Sequence, residues 1–201
     1  MPVTPRTRAG SLLVPLVGLR KHWLIDKLSR YQPHDEIEAG MLLRFETFLA
    51  STEHCFSRTW EAGHITGSAW IVDASRSRVL LTHHAKLGRW FQLGGHSEND
   101  PHTLATAMRE AREESGLAGI EPVSEDVFDL DVHLIPARGA ELEHFHYDVR
   151  FAFVADPSEP LRVSSESRRL LWVPLHDVEA LNADDSIRRM VAKTTNKRAL
   201  R

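Results

Sequence analysis

The stretch that most constrains this chain is GGHSENDPHTLATAMREAREESGL, residues 94–117. Two glycines lead into a short polar loop, and Asp100-Pro101 reads as a helix start. Aspartate is a good N-cap, and proline at the first helical position gives up a hydrogen bond that was orphaned anyway. The helix is expected to run to Ser115, with Gly116 closing it at positive φ. Glu110, Glu113 and Glu114 fall at i, i+3 and i+4, so three carboxylates share one face. Like charges packed together destabilise a bare helix, and the macrodipole near its C-terminus opposes them too. A solvated acidic face is one reading of three such residues. A hard-oxygen site for Mg²⁺ or Mn²⁺ is the other.

The flanking residues favour the second reading. Arg109 to Leu117 reads REAREESGL, and Gly95 stands fourteen residues before Arg109. This resembles the Nudix box, in which a glycine precedes the run Arg-Glu-aliphatic-x-Glu-Glu-x-Gly-aliphatic at that spacing. From ordinary residue frequencies a chance match at one position is on the order of one in ten million. Pro101 stands where the family pattern has a glutamate, six residues after Gly95. Leu93 stands where many members have proline. Glu98 matches a second acidic position of many members and is a candidate to pair with Arg109 in place of the missing glutamate.

Composition bounds the rest. The 201 residues suit one medium domain with an extension, or two small domains. A net charge of −3 offers no general basic surface, so no nucleic-acid partner is expected. Cys55 is the single cysteine, which excludes a disulfide framework or a cysteine zinc site and fits a reduced, cytoplasmic setting. No run approaches the roughly 18 apolar residues of a membrane span. Leu12 to Leu19 is apolar behind two arginines, but Pro15 interrupts it and Arg20-Lys21 follow at once, against a signal peptide. Residues 1–18 are expected to be a loose tail.

Apolar positions from Leu19 to Tyr31 and again from Asp35 to Phe48 mark two helices, an N-terminal hairpin. Their faces must pack on each other, on the main domain or on a partner chain, with a homodimer contact or a substrate-restricting cap as alternatives to ordinary packing. From His64 the pattern turns to strands: Ile65 to Asp73, Val79 to His83, and Arg89 to Leu93 leading into the glycines. After the acidic helix, Val127 to Ile135 and His144 to Val154 alternate. Leu170 to Val173 is a last strand, and His176 to Leu181 and Ser186 to Thr194 are helical before a basic, fraying tail. Pattern alone gives α/β or α+β. The resemblance implies a Nudix-type α/β/α sandwich with a mixed sheet over about residues 60–195. The division expected is an extension at 1–57 and a catalytic domain at 58–201.

The resemblance also implies an activity: hydrolysis of the pyrophosphate bond in a nucleoside diphosphate linked to another group X, with Mg²⁺ as cofactor and Mn²⁺ as substitute. It assigns the metal to Glu110, Glu113, Glu114 and the Gly95 carbonyl. Glu113 is the favoured general base within the box, and Glu166 the candidate from a later loop. Arg109, expected to point away from the three glutamates, would orient rather than react. His96, Glu98, Arg89, His144 and His146 are candidates for substrate contact. Twelve histidines is about three times ordinary usage, and several fall near this site. On the strands after the helix, Asp129, Asp131 and His133 can oppose His144, His146 and Asp148 across a hairpin. That polar face is open to three readings: a wet surface, the substrate cleft, or a second metal. The competing function is a Nudix-fold nucleotide-binding or regulatory protein with little hydrolysis, motivated by Pro101 and the N-terminal helices. An isomerase on the same fold is disfavoured because Cys55 lies outside the box and no other thiol exists.

Overall fold

The computed structural model describes residues 20–181 and 184–196. The expected loose tail at 1–18 and the end of the basic tail lie outside the described residues. Two helices come first, α1 (His22–Ser29) and α2 (Glu36–Ser51). Four strands follow: β1 (Gly63–Val72), β2 (Arg78–His84), β3 (Trp90–Phe91) and β4 (Leu93–His96). Then come α3 (Thr103–Ser115), β5 (Glu121–Pro122), β6 (Asp129–Ile135), β7 (His144–Val154) and β8 (Ser167–Pro174). A 3-10 turn (Leu175–Leu181) leads to α4 (Asp185–Thr195).

All eight strands join one sheet. Its spine runs β3-β2-β1-β7-β5, with β4 added to β1, β6 to β7 and β8 to β2. β1 and β7 are parallel, paired from Gly63↔Phe145 to Val72↔Val154. The other pairings among the described strands are antiparallel. Every position of β1 is buried, as expected of a strand covered on both faces. Alternation sends Ile65, Ala69 and Ile71 to one core with Leu24, Phe45, Ala107, Phe151 and Phe153. It sends Trp70 and Val72 to a second core with Leu81, Val173, Ile187 and Met190. α1, α2 and α3 therefore cover one face and α4 the other, which is the expected sandwich.

The N-terminal hairpin packs on its own domain. Leu24, Leu28, Phe45, Phe48 and Leu49 enter the first core, and Phe48 stacks on Tyr147 of β7 with ring centroids 4.0 Å apart. Asp35 caps α2, its carboxylate accepting the Glu38 N–H at 2.8 Å.

Three expectations are corrected. Gly94 and Gly95 are not loop: they lie in β4, paired with Ser68 and Gly67. The acidic helix begins at Thr103, not at Asp100-Pro101. Asp100 bonds locally instead, its carboxylate taking the His102 N–H at 2.8 Å, a turn that competes with helix capping. His102 is the cap, its Nδ1 accepting the Ala105 N–H at 3.2 Å. Its ring is steadied against Trp23 of α1 at 4.2 Å. Finally, of the three readings of the polar face of β6 and β7, a wet surface fails at its Asp129–Arg150 end, while the His133 side chain stays 43% exposed. Asp129, Asp148 and Arg150 are buried, and α4 brings Arg189 and Lys193 down onto Asp129. Arg150 bonds Asp148 at 2.8 Å and both Asp129 and Asp131 at 3.2 Å.

Candidate active site

α3 carries its carboxylates against the backbone of β4. Glu114 is buried, the Glu110 side chain is 15% exposed and that of Glu113 is 61% exposed. A Cβ on Gly95 would lie 2.5–2.7 Å from the Glu110 carboxylate, so a side chain there would push the carboxylate from its place against β4. The Gly94 N–H bonds Glu114. At the far end Gly116 takes φ +73° and closes the helix onto the Arg112 carbonyl at 2.8 Å, as expected. Burial pushes the Glu114 carboxyl up to about 8, and the charges of Glu110 and Glu166 add to the rise. Burial also raises Glu110, against the pull of Arg109.

Arg109 does not point away from the glutamates. Its guanidinium donates to Glu110 at 2.7 Å and Glu113 at 3.4 Å, and to the His96 carbonyl at 2.8 Å. These are the partners the structure gives it rather than Glu98, which lies exposed in a left-handed turn at φ +50°. Arg109 thereby ties α3 to the end of β4, an orienting role.

Glu166 is exposed just before β8, and its carbonyl accepts the Ala85 N–H at 2.8 Å. Its charge acts on Glu110, Glu114, His84 and His96, so the fold brings this distant residue to the carboxylates. Arg89 is exposed with its guanidinium over the Phe91 ring at 5.5 Å. The loop entering α3 is clamped by the N-terminal segment: Arg20 donates to the Asn99 carbonyl at 2.5 Å, beside the Trp23–His102 stack.

The register across β4, β1, β7 and β6 gathers histidines at one end of the opposite sheet face. His64 pairs with His146, which pairs with His133, and His96 pairs with Thr66. Burial lowers His96 below its ordinary value, which disfavours the imidazolium that would meet a phosphate. Burial likewise lowers His64 to about 3 and His146 to about 2. His64 belongs to this group although its sequence context marks it only as a strand residue. What could have found it is its alternation with Thr66, Ser68 and Trp70 along β1, which puts it on the polar side.

The NUDIX domain family model matches residues 64–194. No curated protein matches the chain. Among solved structures, the Escherichia coli dihydroneopterin triphosphate pyrophosphohydrolase is similar at 17% identity, with a TM-score of 0.50 over 64% of this chain and 92% of that one. A MutT protein from Methanosarcina mazei is 18% identical, with a TM-score of 0.49 over 69% of this chain and 97% of the other. A Caenorhabditis elegans Ap4A hydrolase is 16% identical, with a TM-score of 0.47 over 65% and 94%. With the box on α3, its glycine on β4 and the family model spanning well over half of its residues, the chain belongs to the Nudix family.

Proposed function

We propose that this protein is a Mg²⁺-dependent hydrolase that cleaves the pyrophosphate bond of a nucleoside diphosphate linked to another group X. The observation that carries this reading is the buried Glu114 with the part-buried Glu110, pressed against the glycines of β4, with the charge of Glu166 acting on both. Carboxylates crowded out of water in this way hold protons until a cation compensates them, so the residues fit a hard divalent ion. Glu110, Glu113, Glu114 and the Gly95 carbonyl would hold it. Bound Mg²⁺ neutralises charge on phosphoryl oxygens and makes a water more acidic, and Mn²⁺ substitutes for it.

The chain's own residues supply the rest. Glu113 or Glu166, both exposed, takes the proton from the water that attacks phosphorus, as the bond to the bridging oxygen breaks. Arg109 positions Glu110 and the β4 backbone without touching the reacting atoms. Arg89 and Glu98, exposed before and after β4, would contact the substrate. Residues 58–201 carry this chemistry, and the 1–57 extension steadies the entry loop through Arg20 and Trp23. The substrate is a small diphosphate. The setting is cytoplasmic, supported by a single buried thiol, Cys55. Among the described residues no helix is long and apolar enough to cross a membrane.

The test is nucleotide or phosphate release across a panel of diphosphate compounds with Mg²⁺, Mn²⁺ or chelator. Turnover should require the ion. Of Glu113→Gln and Glu166→Gln, the variant lacking the base should lose about 10²–10⁴-fold in kcat, the usual contribution of proton transfer. Pro101, which replaces a family glutamate, motivates the binding-only reading. That reading gains if no compound turns over while a nucleotide still raises the melting temperature.

A further inference from the structure

A second cluster, separate from the carboxylates, lies on the other face of the sheet. His64, His144 and His146 each offer a ring nitrogen, and the three nitrogens lie within 4.8 Å of one another. We propose that His64, His144 and His146 form a binding site for a divalent transition ion of the zinc type, with one coordination position left open.

The geometry already approaches that of a bound ion. His144 Nε2 and His146 Nε2 are 3.3 Å apart. Two nitrogens, each about 2.0–2.1 Å from one tetrahedral ion, stand at about that separation. The third ring, His64, stacks on His144 with centroids 5.0 Å apart and lies 4.7 Å from the centroid of His146. His64 is 1% exposed, and neither of its ring nitrogens has a hydrogen-bond partner. A neutral imidazole has one donor and one acceptor, and buried polar atoms are ordinarily paired. An ion among the three rings accounts for the bare acceptor, and a small turn of His64 delivers it.

The surrounding groups orient the ligands as second partners do in metal centres. His144 Nδ1 lies 2.8 Å from the Leu142 carbonyl, which can only accept. The proton therefore sits on Nδ1 and Nε2 is bare, aimed at His146. His133, next in the cluster, is held by Asp131 in the same manner at 2.9 Å, and its ring lies 5.5 Å from that of His146. His96 stands beside the group, its ring 5.1 Å from His64 and 5.3 Å from His146. The Arg58 charge that reaches His64 and His96 is turned to Glu141, 3.8 Å away. An all-nitrogen set selects zinc-type ions over Mg²⁺, which prefers oxygen. The two sites would thus take different metals, and His96, whose carbonyl Arg109 holds, links them.

The test is a Co²⁺ titration of the tag-free full-length chain after chelator treatment, followed by visible absorption. One equivalent should give the intense bands of nitrogen-ligated, low-coordinate cobalt. Zn²⁺ should displace them and excess Mg²⁺ should not. His64→Gln and His144→Gln should each lose the bands, while Glu110→Gln keeps them. His144 begins β7 and is 7% exposed against 1% for His64, so its variant keeps the test open if His64→Gln fails to fold. Absence of the bands, their persistence in His144→Gln, or their loss in Glu110→Gln overturns the proposal. None of these outcomes depends on whether the carboxylate site hydrolyses anything.

Discussion

Glu114 shows how one side chain couples the site to stability. In the metal-free protein the folded state keeps a proton on this carboxyl up to about pH 8, whereas the unfolded chain gives it up near the ordinary 4.5. The folded state is therefore favoured at low pH, and that contribution is lost as the pH rises from about 4.5 to 8. The metal-free melting temperature should fall over this interval. Glu114→Gln should flatten the fall and be more stable at pH 8 by about 1 kcal/mol or more. If the proposed function holds, Mg²⁺ should stabilise the parent chain and not this variant, which differential scanning fluorimetry with and without the ion will read. Gly95→Ala probes the other side of the contact. The new methyl would displace the end of Glu110, a flexible group, so stability should change little. Mg²⁺ affinity, measured by calorimetry, should drop about 10–100-fold, as for disturbed ligand support elsewhere.

At the scale of elements, the helices are held by charge as well as by apolar packing. Glu38 of α2 is fully buried, accepts Lys193 of α4 at 2.5 Å and the Leu130 N–H of β6 at 3.1 Å, and also bonds Tyr31. Lys193 reaches Asp129 as well, at 2.7 Å. Removing one partner of a buried pair costs about 3–5 kcal/mol because the other is left uncompensated. Glu38→Ala should lower the unfolding free energy read from urea denaturation by that much without changing Mg²⁺ affinity, since among the described residues Glu38 and Lys193 make no bond to the α3 carboxylates. The sequence's local periods placed these elements well: the alternation of His144 to Val154 matches β7, and the stripe from Asp35 matches α2. What stayed hidden were events decided between elements. Nothing local shows that α4 folds onto β6, so the strand's aspartates read as potentially wet. Nothing local shows that Asp100 prefers its own turn to capping α3, or that the glycines pair with β1. The carboxylate face was legible because all its members lie on one helix. Glu166 was reachable only through the family resemblance, and the histidine cluster needed the register of four strands.

At the scale of the whole molecule, the parallel pairing of β1 with β7 governs how the protein is made. These partners lie some eighty residues apart, with β4 and the acidic helix synthesised between them. On the ribosome, β1 emerges early and pairs with β2 and β4, but its other edge waits for β7. Until then its buried apolar face and an open row of backbone groups stand exposed, the combination that recruits chaperones or neighbouring chains. The long loop that must close first also makes assembly slow compared with a helical protein of this size. The histidine cluster spans the same seam, so an ion held there would bind only chains in which β7 has docked beside β1, a stamp on the closing of the sheet's centre.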